Sequence, residues 1–432
     1  MFMFSCSLSL FINKMFYPLA FFFVFFSIPS YWLINFDTFF LSLNSFISID
    51  SFSLLMIILS ILIVSLCFLS FEMYQWKGNI LFIFSLWFLF MSLLLFFTVT
   101  NLFLFFFFFE MSLLPTLFLI LGWGKNVERI QSGFYLFYYT LFSSLPMMVS
   151  IFFFLNYSNS LNFNFLSFPL NNFLYFFFVL SFLIKMPMFL VHSWLPKAHV
   201  EAPVFGSMIL AGIMLKMGGY GIFRFLFFLK FFYNFNLLWI YISLWGGLIS
   251  SMICLKQSDM KCLVAYSSIS HMSLVIFGLF MMNKIGILGS FYMMFAHGFC
   301  SSGLFFLVNM CYKRSGTRNM ILNKGLISYF PSLSFWWFIF CVMNMGCPPS
   351  LNLIGEFFLI LTCISWNYML VYIMMISCFL SAIYNLVLFT FVNHGSLNNS
   401  YTYSNEINIC EYYILTMHLF PILFFFLKLE LM

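Results

Sequence analysis

The twenty residues Leu102-Phe-Leu-Phe-Phe-Phe-Phe-Phe-Glu110-Met-Ser-Leu-Leu-Pro115-Thr-Leu-Phe-Leu-Ile-Leu121 carry a single charge, Glu110, near their middle. As a helix they extend about 30 Å, the thickness of a bilayer's hydrocarbon core. Lys185, Lys216 and Glu356 stand inside similar apolar runs. On the insertion scale each such charge costs roughly 2.5 to 3.5 kcal/mol, so the four together cost on the order of 12 kcal/mol unless they pair or meet water. The remainder of the 432-residue chain repeats the pattern: 64% of it is hydrophobic, 6% is charged, and its mean hydropathy is +1.08. Apolar stretches of this number and length exclude a soluble core and define an all-α polytopic membrane protein.

Apolar runs between polar breaks predict spans at 16–34, 51–70, 80–97, 102–121, 133–155, 173–194, 204–229, 237–255, 263–282 and 285–310. The runs 327–345 and 351–363 flank Gly346, Cys347, Pro348 and Pro349. Adjacent prolines remove two helix donors, so the two runs read as one discontinuous span. Runs at 371–392 and 412–426 bring the total to thirteen, with a short fourteenth at 2–12. Basic residues test this threading, because they collect in short loops on the cytoplasmic or matrix side. Alternating the loops places Lys14, Lys77, Lys125, Arg129, Lys197, Lys256, Lys261, Lys313, Arg314, Arg318 and Lys324 on one side, and only Lys230, Lys284 and Lys428 on the other. Eleven against three fits an unbroken alternation through the first ten spans. The N-terminus lacks a basic region and a small-residue cleavage site, so no removable signal peptide is expected.

Glu110 is nine residues into its predicted span, Lys216 thirteen, His271 nine and His297 thirteen, all near mid-depth. Pro115 frees the carbonyl of Met111, Pro187 that of Leu183, and Pro348 and Pro349 those of Asn344 and Met345. Irregular backbone at membrane depth survives only where protein or water supplies partners, so helix break, proline and charge coincide at three hydrated places. Burial disfavours the charged form of a carboxyl or an amine and pairing favours it, so making and breaking a pair between Glu110 and Lys185 loads or releases a proton at Lys216. His271 and His297 serve as bridges, against the simpler reading of histidines satisfied by hydrogen bonds and nothing more. Arg224, near a span end, is expected to snorkel. His394 and His418 read as interfacial residues. His192, His199 and Glu201 do not form a metal site on this reading, because Pro196 interrupts any shared helical face. Eleven cysteines occur singly, with no C-x-x-C, which argues against iron–sulfur, zinc or dithiol chemistry. Midplane histidines one per helix lack the pairing that a haem bundle needs.

The stretch Lys185-Met-Pro, Leu-Val-His192-Ser-Trp-Leu-Pro-Lys-Ala-His199-Val-Glu201-Ala-Pro203 and Leu-Lys216-Met-Gly-Gly-Tyr-Gly-Ile-Phe-Arg224 resembles the chain 4 family of mitochondrial NADH:ubiquinone oxidoreductase, respiratory complex I. The likeness continues in Phe109-Glu110-Met-Ser-Leu-Leu-Pro115-Thr, Trp123-Gly, Phe-Tyr-Tyr-Thr-Leu-Phe-Ser-Ser-Leu-Pro146, Ala265-Tyr-Ser-Ser-Ile-Ser-His271-Met, Ala296-His297-Gly and Pro348-Pro-Ser-Leu-Asn-Leu-Ile-Gly-Glu356, and it runs from about Asp50 to the C-terminus. It implies an antiporter-like membrane-arm subunit with two inverted five-helix repeats. The N-terminal helices would occupy 1–100, the first repeat 101–230, the second 236–392, and a polar loop with a last helix 393–432.

It also implies roles. Glu110 pairs with Lys185, Lys216 is central, His271 and His297 connect, and Glu356 lies toward the neighbouring subunit. FMN, iron–sulfur clusters, NADH and ubiquinone are expected in partner subunits of the membrane and peripheral arms and none in this chain. The implied location is the mitochondrial inner membrane, and 72 Phe fit the T-rich codons of a small organellar genome. A cation/proton antiporter subunit with no redox partner shares the Glu and Lys core, and the motif set argues against it. A purely structural scaffold leaves the four buried charges without a reason.

Overall fold

The computed structural model describes residues 41–44, 47–72, 80–124, 126–158, 161–163, 171–229, 232–396, 407–427 and 429. The expected spans at 2–12 and 16–34 lie outside these residues, as do Lys14, Lys77, Lys125, Lys230 and Lys428. The described chain opens with a feature the all-helical reading lacked, an antiparallel hairpin of β1 (Leu41–Asn44) and β2 (Ile47–Ile49), with Leu41 opposite Ile49. Among the described residues every later regular element is a helix.

The helices are α1 (Ser51–Glu72), α2 (Ile80–Thr98), α3 (Leu102–Met111), α4 (Leu113–Trp123), α5 (Arg129–Ser158), α6 (Asn172–Lys185), α7 (Trp194–Glu201), α8 (Val204–Ile209), a π segment (Leu210–Met214), α9 (Leu215–Leu229), α10 (Tyr233–Cys254), α11 (Met260–Phe280), α12 (Lys284–Ser315), α13 (Leu326–Tyr329), α14 (Pro331–Asn344), α15 (Leu351–Trp366), α16 (Tyr368–Asn393) and α17 (Ile409–Leu427). Among the described residues ten helices, counting Leu102–Trp123 and Val204–Leu226 as continuous, are long and apolar enough to cross a bilayer. Asn172–Lys185, Pro331–Asn344 and Leu351–Trp366 are shorter apolar helices. Backbone polarity is contained, as hydrocarbon demands. Serine hydroxyls donate back to carbonyls three residues earlier in their own helix, as Ser60 does to Ile57 and Ser92 to Leu89.

Two exposed stripes repeat at helical spacing, Phe134, Tyr138, Phe142, Leu145 and Val149 on α5, and Tyr368, Tyr372, Met375 and Phe379 on α16. Water would not tolerate apolar faces of this extent, whereas lipid does. At the opposite extreme is α12, 32 residues long, whose most apolar window is wholly buried within the bundle. Small residues let its neighbours come close. A Cβ on Gly212 of the π segment would fall 2.4 Å from Ile63 Cδ1, and one on Gly298 of α12 would fall 3.2 Å from the Gly212 carbonyl.

Loop contacts agree with the alternation of basic residues. Asn126 Nδ2 donates to Glu201 Oε1 at 3.1 Å, Lys261 Nζ to the Ala202 carbonyl at 2.9 Å and Arg318 Nη1 to the Val200 carbonyl at 2.8 Å, so these four loops share one side. On the other side Ile47 bridges Val99 and Asn101 bridges Asn162.

Two expectations about helices need correction. The run 173–194 is not one span. Pro187 supplies no N–H, the helix ends at Lys185, and a new helix begins at Trp194. The carbonyl of Leu183 does not stay free either, since the Met188 N–H bonds to it at 3.1 Å, and Trp194 Nε1 takes up the Ile184 carbonyl at 3.1 Å. The run 327–345 likewise starts as a separate turn, α13, before Pro331 opens α14. The expected break between 344 and 351 is present, with Gly346 at φ +72°.

Candidate functional site

Lys216 lies two residues beyond the π segment and is fully buried. In that segment the register slips, so that the Leu215 N–H reaches the Leu210 carbonyl five residues back. The Ala211 carbonyl accepts a hydrogen bond from Lys216 Nζ at 2.5 Å, and the same ammonium meets His297 Nδ1 at 2.9 Å. Nothing in Leu210-Ala-Gly-Ile-Met214 signals this device, because the segment is apolar and has no proline.

From His297 the polar line continues. The His297 and His271 ring centroids are 5.5 Å apart, and His271 Nδ1 faces Glu356 Oε1 at 3.8 Å. His271 Nε2 meets the Tyr384 hydroxyl at 3.3 Å, which in turn meets Ser270 Oγ at 3.2 Å. Glu356 reaches this place because α14 and α15 are separate helices. Asn352 Nδ2 ties the broken ends by donating to the Met343 carbonyl at 2.9 Å, and Asn344 Nδ2 donates to Asn385 Oδ1 at 2.9 Å. Gly346 abuts the carboxylate so closely that a Cβ there would fall 2.8 Å from Glu356 Oε2. Tyr384 and Asn385 were missed from sequence, although two polar residues inside the run 371–392 were a signal of the same kind as the buried histidines.

His297 Nε2, His271 Nδ1 and Glu356 Oε1 are buried and lack hydrogen-bond partners. A separation of 3.8 Å exceeds hydrogen-bond length. Unpaired polar atoms buried in a row are where ordered water belongs.

Glu110 and Lys185 form a separate group. Lys185 Nζ donates to the Phe109 carbonyl and lies 3.2 Å from the Phe109 ring centroid. Glu110, within electrostatic reach of Lys185 and beside Ser144, keeps Oε1 unpaired, and no direct Glu110 to Lys185 ion pair forms. Lys185 faces a cavity of about 20 Å³, also lined by Thr116, Thr140, Trp194, Leu210 and Met214, which leads from this group to the π segment next to Lys216 and is large enough for one water. His271 and His297 therefore connect Lys216 with Glu356 and do not stand between Lys185 and Lys216.

Two further residues, Arg224 and His418, depart from expectation. Arg224 does not snorkel: it ion-pairs with Asp50 and donates from Nε to the Tyr220 hydroxyl at 2.7 Å, both side chains of the ion pair being 10% exposed. A charge-assisted pair inside the protein is available because the turn before α1 brings Asp50 to α9. His418 is fully buried in α17, its Nδ1 on the Ile414 carbonyl at 2.8 Å, whereas His394 is exposed. His199 stacks on Phe305 at 4.6 Å, His192 on Phe189 at 5.0 Å, and Glu201 engages Asn126. Among the described residues no three His, Cys, Asp or Glu side chains converge as a metal site would.

Fold and site together define a multi-pass helical membrane protein with a file of ionisable groups inside it. Residues 99–384 match the family model of the NADH:quinone oxidoreductase/Mrp antiporter transmembrane region. NADH-ubiquinone oxidoreductase chain 4 of Ceratitis capitata is 46% identical over 405 residues, covering 92% of this chain and 91% of the relative. The chain 4 protein of Locusta migratoria is 48% identical over 345 residues, 77% of this chain and 76% of the relative. Among solved structures, respiratory complex I from Thermus thermophilus with bound NADH contains a chain that superposes with TM-score 0.78 at 24% identity, covering 87% of this chain and 81% of that one. The Mrp complex from a Dietzia species gives TM-score 0.84 at 15% identity, covering 98% and 90%. At these identities the two structures speak for the fold. The chain belongs to the NADH:quinone oxidoreductase/Mrp antiporter family, and its relatives at 46 to 48% identity are chain 4 proteins.

Proposed function

We propose that this chain is the proton-translocating, antiporter-like subunit at the position of chain 4 in the membrane arm of NADH:ubiquinone oxidoreductase, seated in the mitochondrial inner membrane. Other subunits of the assembly oxidise NADH and reduce quinone, and FMN and the iron–sulfur clusters belong to them. This chain moves protons. The observation that carries the reading is the file Lys216, His297, His271, Glu356, with a contact of 2.9 Å at one end and 3.8 Å at the other.

Lys216 is the central store, able to hold a proton against the Ala211 carbonyl. His297 takes it at Nδ1, and the unpaired nitrogens of the two histidines pass it through ordered water to Glu356. Tyr384 holds His271 in orientation. Lys185 is the trigger: it rests on the Phe109 carbonyl beside the cavity that reaches the π segment, and drawing it onto Glu110 moves a positive charge at that cavity and so biases the proton on Lys216. Glu356 hands the proton to the neighbouring subunit or to water in the break at Gly346.

The test separates this from an ion exchanger without a redox partner. In sealed vesicles bearing the native assembly, NADH with a quinone acceptor is expected to drive proton uptake or release that does not require sodium. Sodium-dependent proton exchange with no response to NADH would overturn the reading in favour of the exchanger.

A further inference from the structure

A histidine that carries protons can take them up at either ring nitrogen, and for His271 the hydrogens around Tyr384 decide which. Ser270 and His271 are buried neighbours on α11, and Tyr384 is fully buried on α16. The Tyr384 hydroxyl lies between the other two, 3.2 Å from Ser270 Oγ and 3.3 Å from His271 Nε2. Ser270 Oγ also donates to the Ser267 carbonyl at 2.8 Å. A serine hydroxyl has one hydrogen, and a carbonyl can only accept, so that contact uses it up. Ser270 then offers Tyr384 nothing but lone pairs. The Tyr384 hydroxyl donates to Ser270 Oγ, and the lone pair it turns toward His271 needs a donor, so Nε2 carries the hydrogen.

The opposite assignment loses a bond. With Nε2 bare, the Tyr384 hydroxyl donates to it, and the Tyr384 and Ser270 oxygens face each other at 3.2 Å with no hydrogen between them. The ring hydrogen then sits on Nδ1, which has no hydrogen-bond partner, Glu356 Oε1 being 3.8 Å away. Water beside Nδ1 can donate or accept and so favours neither tautomer. One assignment makes three hydrogen bonds among these groups and the other makes two, in a place where a lost bond is not regained from bulk water. The chain from Nε2 through Tyr384 and Ser270 also ends on a backbone carbonyl, which cannot hand a proton on.

We propose that Ser270 is a positioning residue for proton transfer: acting through Tyr384 it holds His271 as the Nε2–H tautomer, so that Nδ1 alone gains and loses the proton. Nδ1 is the nitrogen turned toward Glu356. A proton arriving through water from His297 Nε2 forms the Nδ1–H bond and makes His271 a cation. That bond then breaks, its electron pair stays on Nδ1, and the proton passes through water to Glu356. The ring is left in the tautomer it began with, and neither a ring flip nor a tautomer exchange separates one proton from the next. The inference rests on the proton-carrying role proposed above.

The test is a double-mutant cycle on the assembled complex in sealed vesicles, with complex content checked and Lys216→Met run alongside. Ser270→Ala frees the Tyr384 hydroxyl to donate to Nε2 and admits the wrong tautomer. Pumping and coupled turnover should fall by about 10-fold, what an unsatisfied buried hydroxyl is worth in the balance between two tautomers. In a Tyr384→Phe background the same change should add nothing, because Ser270 acts only through that hydroxyl. Ser270→Thr, which keeps the acceptor, should recover most of the loss seen with alanine. Losses that multiply in the double variant, as two independent structural defects do, overturn the proposal. So does wild-type pumping in Ser270→Ala beside an inactive Lys216→Met, and that result leaves the proton-carrying role standing. Wild-type pumping in Lys216→Met as well overturns the role itself.

Discussion

Replacing Gly346 by alanine separates backbone strain from displacement of the Glu356 carboxylate, because Gly316 provides a matched control. Gly346 has φ +72° and Gly316 φ +70°, so either substitution forces an L-residue into the left-handed region at about 1 to 2 kcal/mol. The surroundings differ. At Gly316 a Cβ meets nothing within 4 Å, whereas at Gly346 it would lie 2.8 Å from Oε2 and 3.3 Å from Cδ of Glu356. A carbon and an oxygen need well over 3 Å, so the carboxylate must swing away by a few tenths of an ångström or more, in a site where His271 is already 3.8 Å distant. Gly316→Ala should lower thermal stability slightly and leave pumping unchanged. Gly346→Ala should show a similar loss of stability and, in addition, slower proton pumping per NADH oxidised in sealed vesicles. Equal pumping in the two variants would refute the claim that the carboxylate's position governs transfer.

Three further outcomes follow from particular contacts. Glu411 is buried and accepts from Arg314 at 2.7 Å and Lys313 at 3.1 Å, so Glu411→Ala should cost about 3 to 5 kcal/mol by leaving a buried guanidinium uncompensated, read as early proteolysis or melting of α17. Tyr384→Phe removes the hydroxyl that meets His271 Nε2 at 3.3 Å, and pumping should slow while assembly is unaffected; full activity would deny Tyr384 its orienting role. Glu110→Gln should abolish pumping more completely than Glu110→Asp, which keeps the carboxylate with about one carbon less reach, and equal loss in both would point to geometry in place of titration.

The sequence announced its spans because lipid leaves few choices. A run such as 285–310, unbroken by charge, had to cross, and α12 does so with one residue added at its start and five at its end. Gly346, Pro348 and Pro349 announced the broken helix for an equally local reason, the loss of two donors in succession. What could not be read locally was any feature that needs two distant segments. Arg224 finds Asp50 only because the turn before α1 comes to rest beside α9, and His418 is buried because α17 packs on α12, α1 and α15. The hairpin β1–β2 alternates apolar with polar residues, Leu41-Ser-Leu-Asn44 and Ile47-Ser-Ile-Asp50, but strands of four and three residues are too short for that alternation to stand out in so apolar a chain. The π segment is the hardest case. Its register slip falls where Gly212 packs closely on Ile63 and Gly298, and in sequence it is indistinguishable from the helix around it.

The candidate site divides in the same way. Ionisable residues at mid-depth stand out from sequence because their cost is large wherever they meet neither partner nor water. Their order does not. Placing both histidines on the Glu356 side of Lys216 requires knowing that α11 and α12 pack together and that α15 packs on α12. Burial alone does not decide whether Lys185 contacts Glu110, and here Lys185 reaches the Phe109 carbonyl.

The most direct measurement is the number of protons translocated per NADH oxidised by the assembled complex carrying Lys216→Met, with complex content checked independently. Methionine keeps an unbranched side chain of similar length in the buried site and removes the group that bonds Ala211 and His297. The account predicts a complex that assembles, with pumping and coupled turnover largely lost. A fully assembled Lys216→Met complex that pumps as the wild type does would contradict it.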